Sequence, residues 1–384
     1  MMSHGPTLIY DKSTLQSLTA KEADWLHHHF HVVLTPTLFM EVLGNLKKES
    51  KRGKKPEEEV AILAAKIPNY AITPNMFYKE LVIGDLVHEQ VEMNGKPYLG
   101  GGKRVQHSDG SYGVFFEDMP ESKALRLWQQ GDFNALEHEM AAEWQDTLEE
   151  LDLSAISQSM KWAESHIKNL KTPEEILAFI DKALGNDAYK ILLMALQYLG
   201  VPSNHHARIL ARWQHFGRRP LPEFAPYAAY VLKVDLFFNF LITRRLISDQ
   251  RASHKIDFTY FYYLPFTTFF TSNDKLHKQM APLLLREDQR FIEQPALKKD
   301  MAALTEYYES LPEEVKKTGT RNYAAWPPRE GDFLVSRLYD QVYGDLEPNW
   351  RKDAERKPEP RDPEEDKRIL KRTHEIMDQI KADK

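Results

Sequence analysis

The chain of 384 residues contains no cysteine. Disulfides, thiolate nucleophiles and cysteine-ligated metals are therefore excluded, and the absence fits a reducing, cytoplasmic setting. A long uncharged apolar run is also missing. The most apolar stretch, residues 227–247, carries Lys233, Asp235, Asn239, Arg244 and Arg245. It is too polar to span a bilayer, so it reads as a helix buried in protein, and no membrane partner is expected. Nor is the chain basic overall. Its formal net charge is −6, so any surface for a polyanion must be local. The polar start Met1–Pro6 has none of the features of a signal peptide. No internal repeat is visible, and the length suffices for one large core or two modest ones.

What is present is a set of carboxylates at the ends of short apolar segments. Leu8-Ile9-Tyr10 reads as a buried strand that delivers Asp11 to a turn, with Ser13 close behind. Thr19 and Glu22 have capping-box spacing and open a helix toward His31. Val32-Val33-Leu34 is a second strand, after which Thr35 caps a helix with Pro36 at its first position. At about 100° per residue, Leu38, Phe39, Val42, Leu43 and Leu46 form one apolar stripe, with Glu41 about 60° outside its edge. That places Glu41 at the rim of the core.

Far downstream, residues 256–275 read as a buried aromatic helix that starts at Asp257, a proline break, an apolar strand, and a turn carrying Asn273 and Asp274. In open parallel sheets the site lies outside the carboxyl ends of the strands. Asp11, Glu41, Asp257 and Asp274 would converge there. Such a cluster repels itself unless a cation intervenes, and oxygen-only ligands favour Mg²⁺ or Mn²⁺.

These segments resemble the PIN-like nucleases. Asp11-Lys12-Ser13 after a strand is similar to their opening Asp-x-Ser/Thr. Thr35-Pro36-Thr37-Leu38-Phe39-Met40-Glu41 is similar to their second acidic motif, and Asp257 and Thr271-Ser272-Asn273-Asp274 to their third and fourth. The resemblance covers residues of about 7–46 and 255–285, and each motif is short. It implies a PIN-like α/β/α sandwich on a central parallel sheet, and metal-dependent hydrolysis of phosphodiester bonds in RNA or, second, DNA. Asp11, Glu41, Asp257 and Asp274 would hold the ion, with Ser13 and Asn273 as polar support. Lys12 or Lys275 could reach phosphate.

The departure is size, because some 200 residues separate Glu41 from Asp257. The expected layout is a first half over residues 1–46, a mostly helical insertion over 47–247, a second half over 248–290, a helical region over 291–350 and a charged tail over 351–384. Within the insertion, the texture of residues 91–118, with turn signals Asn94-Gly95 and Asp109-Gly110, predicts β-hairpins. Asp235, in mid-helix, rivals Asp257 as the third metal ligand, unless it pairs with Lys233 or Arg244. A fold kept without catalysis, with the insertion as a surface for a protein partner or a second copy, is the alternative.

Other features give weaker signals. His27-His28-His29 cannot converge on one ion from successive helical positions, whereas His277 would lie near the acidic site. Tyr260–Tyr263 and Phe266 read as core packing. Gly100-Gly101-Gly102-Lys103-Arg104 lacks the spacing of a phosphate loop. Arg208, Arg212, His215, Arg218 and Arg219 around Trp213 form the best basic stripe, either a solvated helix face or a contact for a nucleic-acid backbone.

Overall fold

The computed structural model describes residues 5–47, 55–71, 74–100, 102–106, 112–116 and 119–344, and some residues between 364 and 375. The fold is α/β. Its strands are β1 (Thr7–Tyr10), β2 (His31–Val32), β3 (Gly102–Gln106), β4 (Tyr112–Phe116), β5 (Phe269–Ser272) and β6 (Arg290–Glu293). Four of them form a parallel sheet in the order β2-β1-β5-β6, and β3 and β4 form a separate antiparallel hairpin.

β5 is buried along its whole length, as a strand covered on both faces must be. Its alternate side chains face opposite ways. Phe269 meets Phe30 edge-on at 6.1 Å, while Phe270 packs on His277 at 5.1 Å and on Phe261 at 6.2 Å. Helices therefore cover both faces of the sheet.

Three short helices flank the first strands: α1 (Lys12–Ser17), α2 (Ala20–His29) and α3 (Pro36–Leu43). The starts of α2 and α3 follow the sequence signals, and α1 begins one residue after Asp11. Asp11 caps α1, Thr19 and Glu22 close a capping box on α2, and Thr35 caps α3 ahead of Pro36. The helix Gln294–Ser310 packs along α2, with Trp25 stacked on Tyr308 at 4.0 Å.

Between β2 and β5 the chain is mostly helical, built around Pro226–Thr243. That helix is apolar on nearly every side and packs against Pro173–Leu184, Tyr78–Val87 and Leu153–Ser159, as an all-round apolar helix must. No helix among the described residues is long and apolar enough to cross a membrane. One continuous apolar core joins this helical part to the sheet.

The structure differs from the sequence reading in several places. The sheet continues past residue 290, because β6 pairs with β5 and leads into Gln294–Ser310. Arg290-Phe291-Ile292-Glu293 is too short to stand out, and it becomes a strand only because β5 offers an open edge. The aromatic segment is a 3₁₀ helix, Tyr260–Phe266, that follows a short α-helix, Ser253–Thr259. Asp257 thus lies inside a helix rather than at its start.

Asn94-Gly95 makes no hairpin. Gly95 donates to the Pro265 carbonyl at 2.9 Å and accepts from Thr7 Oγ1 at 2.8 Å, which closes a loop over the sheet edge. Asp109-Gly110 lies outside the described residues, as do residues 351–363 of the tail. Within the tail, residues 370–375 are helical and Leu370 is exposed.

The basic stripe is mainly a solvated helix face, with Arg208, His215, Arg218 and Arg219 exposed and Arg212 turned inward. Arg212 Nη1 donates to the carbonyls of Asp85 (2.8 Å) and Leu86 (3.0 Å), and its guanidinium lies over Phe224. It thereby satisfies carbonyls at a helix C-terminus. Arg208 reaches His88, Arg219 pairs with Glu223, and Trp213 is buried.

Candidate active site

The strand order reverses between β1 and β5, since one connection leads from β1 outward to β2 and the other from β5 outward to β6. The carboxyl ends of these two strands therefore border a switch-point crevice, the general location of sites in open α/β sheets. Asp11 leaves β1 there and Asp274 follows β5.

Asp11 is buried and takes a dense set of hydrogen bonds. Its Oδ1 accepts from Thr14 N (2.9 Å), Thr14 Oγ1 (2.8 Å) and Ser13 Oγ (2.9 Å). Its Oδ2 accepts from Ser13 Oγ (2.8 Å) and from Ser272 Oγ (2.6 Å) across the strand pair.

His277 lies beneath this carboxylate, fully buried. Its Nε2 donates to the Asp257 carbonyl at 2.9 Å, and its Nδ1 stands 2.8 Å from Ser272 Oγ and 3.6 Å from Asp11 Oδ2. Its charge follows from Asp11 being ionised, since that carboxyl is held below the usual range. Ser272 gives its single proton to Asp11 and already accepts from Asp274 N at 2.9 Å, so Nδ1 must donate to it. His277 is then an imidazolium. Burial alone would lower its pKa, but the hydrogen bond and charge of Asp11, and then the charge of Asp257, raise it. Conversely, burial would raise Asp11, and His277 together with Ser272 and the Thr14 amide holds it below the usual carboxylate range.

Glu41 sits half-buried on α3, with Lys12 Nζ donating to its backbone carbonyl at 3.2 Å. The Tyr260 hydroxyl donates to its Oε2. Burial pushes Glu41 upward, against the attraction of Lys12. Asp257 projects from Ser253–Thr259 without capping it. Burial, and then the charges of Asp274, Glu41 and Asp11, push its carboxyl up to about 7 despite the attraction of His277. Asp274 caps Lys275–Leu284, accepting from Leu276 N (2.6 Å) and His277 N (3.3 Å).

Comparison with family models, curated proteins and solved structures found no match.

The structure thus brings Asp11, Ser13, Glu41, Asp257 and Asp274 into one electrostatic neighbourhood. It leaves Asp235 out. That carboxylate pairs with Lys255 at 2.7 Å and accepts from the Tyr262 hydroxyl, while Lys233 pairs with Asp181 and Arg244 bonds the Leu170 carbonyl. Asp235 is therefore neither a free ligand nor the partner of Lys233 or Arg244. Asn273 is exposed.

Ser272, Thr14 and the Tyr260 hydroxyl belong to the site without having stood out in the sequence. Ser272 and Tyr260 reach their partners across 261 and 219 residues, a separation no local pattern announces. Within the histidine run, His27 meets the Tyr10 hydroxyl, His29 meets that of Tyr308, and burial lowers the pKa of both.

The residues fit a hard divalent cation in chemistry and in charge. All four carboxylates offer oxygen, and two of them are pushed upward mainly by burial, which leaves room for a further positive charge. As they stand, no group of three or more such side chains among the described residues is close enough to hold one ion. Asp11 is saturated by hydroxyls and Glu41 is held by Tyr260, so sharing an ion requires side-chain movement.

Proposed function

We propose that the chain is a metal-dependent nuclease of the PIN-like kind, hydrolysing phosphodiester bonds of RNA, or of DNA, with Mg²⁺ or Mn²⁺ held by Asp11, Glu41, Asp257 and Asp274. The observation that carries this reading is Asp257. It is a carboxyl that caps nothing, raised to about 7 by burial and by three other carboxylates at the strand-end crevice. Structural carboxylates are normally placed where they gain partners, and this one is placed where it loses them.

Within the reading, each side chain has a part. Ser13, Thr14 and Ser272 fix the rotamer of Asp11, and Tyr260 fixes that of Glu41. His277 offsets negative charge from beneath, and Lys12 does so beside Glu41. A bound divalent ion would polarise the scissile phosphate and offset charge on the leaving oxygen. No side-chain nucleophile is required, which agrees with a chain without cysteine.

The test is cleavage of single-stranded RNA and DNA with Mn²⁺ by the wild type and by Asp11→Asn and Asp274→Asn. Loss of cleavage with the fold retained is expected, and undiminished cleavage in both variants would sink the assignment.

A second reading, a non-catalytic protein of the same fold, is favoured by the internal cations, since Lys12 and His277 already offset part of the charge. Calorimetric titration with Mn²⁺ separates the two. Heat of binding in the wild type supports the nuclease, and its absence supports the interaction protein.

A further inference from the structure

A groove of about 770 Å³ lies in the helical half, and no residue of the carboxylate cluster lines it. Its walls come from Lys161–Ile167, Ala188–Tyr198 and the central helix Pro226–Thr243. Trp162 stands in one wall with 56 % of its surface exposed. Met160 and Met194 supply polarisable, deformable apolar surface beside it. Tyr198 braces this side, donating to Met160 Sδ at 3.1 Å.

The polar lining is sparse and uncommitted. The carboxamides of Asn239 and Gln197 face the groove and bond no other described residue. Lys190, 81 % exposed, sits at the rim in a surface pair with Asp187 at 3.0 Å, an interaction weak enough to be exchanged for another anion.

An exposed indole face, adaptable thioethers, two amides that bond no other described residue and a rim cation make a consistent set. The indole and the thioethers suit a flat π-surface, the amides suit an edge of donors and acceptors, and the lysine suits an attached anion. We propose that this groove holds one nucleobase of a single-stranded nucleic acid, an anchoring subsite separate from the carboxylate crevice. The choice of a nucleic-acid strand as occupant rests on the nuclease reading above.

The two places are mechanically connected. Asp235 lies one helical turn before Asn239, and its pairing with Lys255 ties the groove-lining helix to the helix that carries Asp257. This gives the mid-helix carboxylate a structural purpose.

The experiment uses the full chain with chelator present, a fluorescein-labelled oligoadenylate of about twelve nucleotides, and adenosine monophosphate. Binding is read by anisotropy, and by the difference in tryptophan quenching between the wild type and Trp162→Phe. The wild type binds the oligonucleotide, Trp162→Ala weakens it about tenfold and Asn239→Ala several-fold, in line with the loss of one stacked base. Absence of binding, or binding by Trp162→Ala and Asn239→Ala as tight as that of the wild type, overturns the proposal. Quenching by an amphipathic helical peptide but not by the oligonucleotide also overturns it, and makes the groove a protein-docking surface. Cleavage without any groove effect leaves the nuclease reading standing, whereas groove binding without metal-dependent cleavage leaves only the groove.

Discussion

Replacing Asp257 with asparagine tests the charge balance of the crevice without needing a substrate. Asparagine matches the shape of the protonated carboxyl and cannot ionise. Asp257 has its ordinary value of 3.8 in the unfolded chain and about 7 in the fold. Its folded form therefore holds a proton that the unfolded form has lost, and stability falls as pH rises through that window. At about 1.4 kcal/mol per pH unit, the full shift corresponds to about 4 kcal/mol. The group is half-buried, and solvent screening reduces this to about 2 kcal/mol.

In chelator, Asp257→Asn should match the wild type near pH 4 and exceed it by about 2 kcal/mol near pH 8, with the gap opening between. Urea unfolding at a series of pH values, followed by circular dichroism, measures this directly. Addition of Mn²⁺ near pH 8 should narrow or reverse the gap, because only the wild type keeps the charge that the ion would neutralise. A pH-independent difference, or a variant less stable than the wild type near pH 8 in chelator, would refute the reasoning.

Further predictions address the parts around it. Ser272→Ala removes a donor to Asp11 and an acceptor for His277 and the Asp274 amide, and should cost about 2 kcal/mol in urea unfolding. Asp235→Asn leaves Lys255 without its anion, and should cost about 1–2 kcal/mol while leaving Mn²⁺ affinity, read by calorimetry, unchanged. Affinity for Mn²⁺ should fall as pH drops below about 7, because protons then compete for Asp257. Phe261→Ala, in the wholly buried 3₁₀ segment, should cost about 3–5 kcal/mol by thermal or urea unfolding.

How far the site could be read from the sequence depends on the reach of each interaction. Thr19 and Thr35 were legible as caps because a cap is satisfied within two or three residues of itself, and Asp11 and Asp274 were legible as carboxylates following apolar strands. Glu41 was legible because the helical period places it beside its own apolar stripe. By contrast, Ser272 and Tyr260 look like ordinary strand and core residues until the partner segment arrives. β6 was hidden because four residues carry no periodic signal, and pairing with β5 alone makes them a strand.

Composition and local pattern determined that this chain is an α/β protein without thiol chemistry, with Asp11 and Asp274 following apolar strands. Tertiary structure decided which carboxylates share a field. Asp235 and Asp257 are equally acidic in the sequence, but packing gives one of them Lys255 and Tyr262 and leaves the other facing Asp274, Glu41 and Asp11. A buried charge is defined by what lies within a few ångströms of it, and those neighbours come from segments that only the folded chain brings together.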